Sequence, residues 1–380
     1  MHLRPQWVVG AAAVLVAVGF VLGTRFAPSP DTDSAAVARL DPRSPVAGDA
    51  SREPTAQPAR IDDALCADDE GSAAAHTVAA DEPTLGTTKS RLFVSQNAEN
   101  LTSIALLSVE EPRERLDAMR RAMSVGRGEP IVVWAAVQIC DHPRPDLSCP
   151  AQEWEDELLK LDSENSEVWI RVAARRYERG DTAKALDALQ HAATAAETRE
   201  YWPETVAMLE RALDSAGGYS FPQRAALAFS VADANLPDPA PYVNMCGRQS
   251  RVDAEWAQAC LEYGRLVERQ AKTEIGLSIA QTIQIAALES ARNTEEALAA
   301  AARRDDAARD RMSESARERI DVLVLSNTRV FAAYLAALRE RGERAARTEA
   351  LAEANRLADR CSQQPANSSN VTTHDADSPR

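Results

Sequence analysis

Apolar residues divide the chain into three kinds of stretch. Trp7 to Gly23 is an unbroken apolar run between Arg4 and Arg25. From residue 28 to about 90, large apolar side chains are sparse among Pro, Ser, Ala and Asp. From Arg91 onward, apolar positions recur at three- and four-residue spacing, the period of a helix that buries one face. Alternation at period two is almost absent, so the pattern predicts an all-α fold.

Punctuation places the helices. Asn97 to Leu107 is a short apolar helix, Pro112 opens PRERLDAMRRAMS, Gly126 and Gly128 close it, and Pro130 opens PIVVWAAVQIC. Proline suits a first helical position, whose N–H is unused anyway. Further on, Val252 to Gln270 is amphipathic, with Trp256, Cys260, Tyr263 and Leu266 on its apolar side. Ile275 to Leu288 is apolar nearly all round and predicts a centrally buried helix, with Gly276 and Ser278 allowing close approach. Glu295 to Asp310 is Ala-rich and charged. Ile320 to Leu338 reads as one helix, and Asn327 within its stripe as a hydrogen-bonded core residue. Glu349 to Asp359 gives a final helix.

The resulting organisation is a membrane anchor or signal segment over 1–27, a disordered tether over 28–90 and a helical-repeat-like region over 91–240. A C-terminal helical bundle over 241–361 and a polar tail over 362–380 complete it. The tether has too little apolar surface to offset its ordering entropy. Its acids Asp62, Asp63, Asp68, Asp69 and Glu70 lack the alternation and glycine of a calcium loop and read as solvating charge.

The first segment has three readings. Roughly 17 residues at about 1.5 Å each reach about 25 Å, a little short of the roughly 30 Å hydrocarbon core. An uncleaved anchor through residues 7–23, with Arg4 on the cytoplasmic side, fits best. A cleaved signal needs small residues before the cut, and Val21 and Gly23 serve poorly. A buried core helix lacks anything in the next stretch to pack on. The expected location is the inner membrane, single-pass, with the C-terminal domain in the periplasm; a soluble periplasmic chain is the alternative.

Cysteine spacing bears on the same question. Cys66, Cys140, Cys149, Cys246, Cys260 and Cys361 form no CxxC pair, so neither a zinc ribbon nor a thioredoxin-like site is indicated. Behind an export signal, disulfides are expected. Cys140 and Cys149 bracket a proline-rich loop, and Cys246 and Cys260 flank a short irregular stretch. The pairing of Cys66 and Cys361 stays open. His142 lies between Cys140 and Cys149, but a zinc site needs a fourth ligand or an open position that this loop does not present. No metal or cofactor is expected.

Leu159 to Ala195 (LKLDSENSEVWIRVAARRYERGDTAKALDALQHAATA) resembles a tetratricopeptide repeat. With Ser166 as its first position, Trp169, Val172, Ala173, Gly180, Asp181, Ala185, Leu189 and Ala192 fall on the family's positions. Ser163 stands where proline is common, and Tyr177 lies one place late. A looser copy over Val132 to Asn165 carries Trp134 and Trp154, with Ala151 at the small second-helix position. The resemblance over residues 166–199 and this copy implies antiparallel hairpins. They would form a tetratricopeptide-like stack continuing into the C-terminal bundle, because such hairpins need neighbours to bury both faces.

Charge narrows the partners. A net charge of −15 repels phosphate backbones, so no nucleic acid is expected. No GxSxG, HExxH, Walker loop or GxGxxG occurs, His191 reads as a surface residue, and Glu153 with Glu157 as a solvated pair. The expected function is a non-enzymatic scaffold in the cell envelope, binding a protein or peptide near Trp134, Trp169 and Tyr177. An exported enzyme acting on envelope polymers, or a membrane-linked assembly factor, is the alternative. Oligomeric state is not legible.

Overall fold

The computed structural model describes residues 83–141, 148–309 and 314–363, all within one compact unit, Pro58–Arg380. Residues 7–23, most of the tether, Cys66, His142 and most of the tail fall outside the described residues, as does the Cys361 side chain. Sixteen helices account for 81% of the described residues, and among these there is no strand or sheet. The all-α expectation is met.

The first four helices are α1 (Leu85–Ser95), α2 (Ala98–Leu107), α3 (Pro112–Gly126) and α4 (Pro130–Cys140). Thr84 and Asn97 cap α1 and α2 by accepting from the Thr87 and Asn100 amides, and prolines open α3 and α4. Helix α1 thus starts inside the stretch assigned to the tether. Lys89 is held there by Glu111 and Glu114 at 2.8 and 2.9 Å.

Two hairpins follow: α5 (Ala151–Leu161) returns along α4, and α6 (Ser166–Glu178) pairs with α7 (Thr182–Thr194). Between α6 and α7, Gly180 takes φ +83°, which favours glycine, and Asp181 caps α7. Ala173 and Ala185 are fully buried, the small residues that let paired helices approach. Next come α8 (Trp202–Ala216) and α9 (Phe221–Ala234), then α10 (Ala240–Gln249), α11 (Ala254–Gln270), α12 (Glu274–Ser290) and α13 (Thr294–Arg309). The chain closes with α14 (Glu314–Ser326), α15 (Thr328–Arg341) and α16 (Glu343–Gln363).

Two main cores result, and each draws on both sides of residue 240. The first joins α1–α5 to α8, α9 and α14–α16; Leu101, Met119, Trp134, Leu158, Leu209 and Leu213 are among its largest buried side chains. The second joins α6 and α7 to α10, α11 and α12 around Ile170, Leu189, Met245 and Tyr263. Thus α11 stacks on α7, whereas α8 turns back against α1, α2 and α15.

The disulfides match the expected pairs: Cys140–Cys149 and Cys246–Cys260, each with Cα atoms 5.7 Å apart. The second bridges two helices, α10 and α11, rather than closing an irregular stretch.

Two expectations are corrected. Ile320 to Leu338 is not one helix: Asn327 caps α15 by accepting from the Arg329 and Val330 amides, and the chain bends by 114° there. An asparagine oxygen competes well for free amides, so it starts a helix rather than sitting inside one. Nor is α12 buried all round: Ile275 is exposed, while Ala280, Ile283, Ala287 and Leu288 face inward. Of Gly276 and Ser278, the two residues expected to allow close approach, Gly276 makes one, and Gly264 makes another that the sequence reading did not name. Gly276 leaves room for the Glu200 carboxylate, and a side chain at Gly264 of α11 would meet the Ala280 carbonyl of α12 at 3.0 Å.

Turn-to-turn bonds lock distant parts together. The α5–α6 turn meets the α7–α8 connection through Ser166 N–H to the Glu197 carbonyl (2.8 Å) and Glu197 N–H to the Glu164 carbonyl (3.0 Å). Asn165, fully buried, donates to Asp162 and accepts from the Arg199 amide. Likewise the Glu343 amide donates to the Lys272 carbonyl (2.7 Å), beside Gly342 at φ +87°, where a Cβ would lie 2.9 Å from that oxygen. Arg347 and Arg317 both reach Glu274 across this junction. Among the described residues, no single helix is long and apolar enough to cross a membrane.

Candidate functional site

The three aromatic residues singled out in the sequence do not converge. Trp134 is 1% exposed, with the Arg171 guanidinium 4.0 Å above its ring and Tyr201 5.0 Å away. It is a core residue and offers no surface to a partner. The reason lies in α4, which is apolar on every side and packed by α2, α3 and α5. Trp169 is half-buried, donates to the Ser163 carbonyl (2.7 Å) and stacks on His191 at 4.5 Å. Tyr177 looks the other way, accepting from Gln249 (2.8 Å) and meeting Trp256 edge-on.

Beneath them runs a buried polar seam that the sequence did not announce. Arg171 and Arg175, one turn apart on α6, both reach Asp141, and Arg175 also binds Glu155 (2.8 Å). Glu167, one turn before Arg171, accepts from the Tyr263 hydroxyl at 3.2 Å. Burial pushes the Glu155 and Glu167 carboxyls up against the pull of these arginines, and pulls the Arg171 guanidinium down despite Asp141 and Glu167. Burial likewise raises the Tyr242 and Tyr263 hydroxyls well above their usual range, with Glu167 adding to it. Arg171 keeps Nε and Nη2 without hydrogen-bond partners, and the face of Trp134 serves that cation instead. The seam fastens α4 and α5 to α6, and α6 to α10 and α11.

Nearby, burial and then Glu167 raise the Glu200 carboxyl to about 7, while Thr273 bonds oppose this. Asp233, accepting from the Trp202 indole N–H (2.8 Å), is raised to about 6 by burial.

A cleft of about 350 Å³ lies where α2, α4, α8 and α15 meet. Met208 and Ile131 supply its apolar lining. Its charged residues are Glu99, Glu129, Glu204, Arg211 and Arg339. Arg211 binds Glu99 at 2.8 Å, and Arg339 lies 3.9 Å from Glu204. Glu129 is exposed and has no ion partner among the described residues, and Glu204 Oε2 has no hydrogen-bond partner. Beside the cleft, Gly126 lies against Ala98 and within reach of the Glu129 carboxylate.

Sequence reasoning missed this cleft because its residues lie between positions 99 and 339 and are ordinary surface types one at a time. Among the described residues, no group of three or more His, Cys, Asp or Glu side chains is arranged to hold a metal ion. Comparison with protein-family models, with curated proteins and with solved structures finds no match to this chain.

Proposed function

We propose that the chain is a membrane-tethered helical scaffold that binds a protein or peptide partner on the outer side of an inner membrane. The observation that carries the reading is the cleft between α2, α4, α8 and α15, where four separate parts of the chain meet. An apolar floor inside a charged rim is the usual anatomy of a protein docking surface. The α6–α7 hairpin, with Gly180 at its turn and alanines at its seam, supports a tetratricopeptide-like ancestry for part of the stack.

Two disulfides support the exported compartment, since cytosolic thiols are normally kept reduced. The apolar run at residues 7–23 supports the tether, and the sequence between it and α1 would set its reach.

In-cell photo-crosslinking tests the docking reading. A crosslinker in place of Ile131 should trap one discrete partner, and one in place of exposed Val252 on the α10–α11 turn should not. Equal trapping from both positions, or none from Ile131, contradicts the reading.

A further inference from the structure

We infer that the cleft receives a lysine- or arginine-bearing aliphatic stretch of the partner, its cationic head placed between Glu129 and Glu204. The inference rests on the docking reading above and adds the partner's chemistry. Three observations carry it. First, the cleft holds three carboxylates against two guanidinium groups, and each guanidinium already has a carboxylate: Arg211 with Glu99, and Arg339 with Glu204. The surplus is therefore one negative charge, on Glu129. Second, Glu204 uses its carboxylate incompletely, because Oε2 has no hydrogen-bond partner and Arg339 stands 3.9 Å from the other oxygen. A carboxylate short of donors favours an incoming cation.

Third, the apolar lining suits the stem of a long cationic side chain, which packs its methylenes while keeping its head polar. Met208 is buried and Ile131 half-buried at this point. An acidic segment would face repulsion from Glu129, and a purely apolar one would leave Glu204 as it is.

The test uses the purified full-length chain and two fluorescein-labelled synthetic peptides, one alternating lysine with leucine and one alternating glutamate with leucine. The lysine peptide should raise fluorescence anisotropy saturably, and the glutamate peptide should not. The acidic chain as a whole attracts cations, so the deciding comparison is between variants of equal net charge. Glu129→Gln with Glu204→Gln should weaken lysine-peptide binding about tenfold. Glu262→Gln with Glu289→Gln, exposed and distant in the fold, should change it less than about twofold. Glu129→Gln alone, at an exposed position, should weaken binding several-fold with unchanged melting. Equal losses in the two double variants, or equal binding of both peptides, overturns the inference. If Ile131 traps a partner in cells and Glu129→Gln with Glu204→Gln leaves that trapping intact, the docking reading stands and the cationic stretch fails.

Discussion

The two main cores bury helices by different means. The first is filled by Leu, Met, Val and Ala with Trp134 at its heart; among its buried polar contacts, Asn235 accepts from Arg115 and donates to the Leu106 carbonyl. The second surrounds a disulfide and two tyrosines with a seam of paired charges running from Asp141 to Tyr263. Where the interior is aliphatic, packing volume decides stability. Where it is charged, pairing decides, because an ion left alone in the interior costs more than a pair contributes.

The sharpest way to break this comparison is to remove one charge. Arg171→Ala leaves Glu167 facing a vacancy, removes one of the two arginines on Asp141 and uncovers Trp134, and is expected to cost about 3–5 kcal/mol in urea unfolding. Arg171→Met should cost less, because it refills the volume; equal losses would show that packing, not pairing, rules there as well. In the first core, Leu209→Ala is expected to cost about 2–4 kcal/mol from the cavity it leaves, with no dependence on pH.

The staples sharpen the contrast. Loss of either disulfide should cost about 2–3 kcal/mol through chain entropy, slightly more for Cys246–Cys260 with its longer loop. Their order of reduction should differ more than their contributions. Cys149 is half-buried, whereas Cys246 and Cys260 have no exposed surface, so a mild dithiol should open Cys140–Cys149 first. Mass-spectrometric mapping against time checks this, and simultaneous opening would contradict it.

The smallest effect is in pH. Glu200 is protonated more readily folded than unfolded, so its contribution is fully present below about pH 4.5 and is lost as pH rises through about 7. Between pH 5 and 8 the chain should lose about 2 kcal/mol, less than the whole shift implies because Glu200 is partly open to water. Glu200→Gln should flatten that slope, and Asp233, raised to about 6, should leave a remnant.

These contrasts also explain what the sequence made legible. The α6–α7 hairpin could be read because its signals are local: Asn165 and Asp181 cap the helices, Gly180 turns, and small residues recur at helical spacing. Both cysteine pairs were legible because each is close in sequence. Trp134 was misplaced because hairpin logic treats it like Trp169, whereas α4 is buried from Val132 to Cys140. Asn327 was misread because a cap and a core asparagine look alike within an apolar stripe. The cleft and the seam were invisible because they depend on α8 and α15 meeting, and on Arg171 reaching back to Asp141. Long-range packing has no local trace.

The proposal of an exported, stapled scaffold is tested most directly by thiol mapping of the chain taken from living cells quenched with an alkylating agent. The account predicts peptides linked through Cys140–Cys149 and Cys246–Cys260, with none of these four sulfurs alkylated. Four alkylated cysteines at those positions would place the domain in a reducing compartment and contradict it.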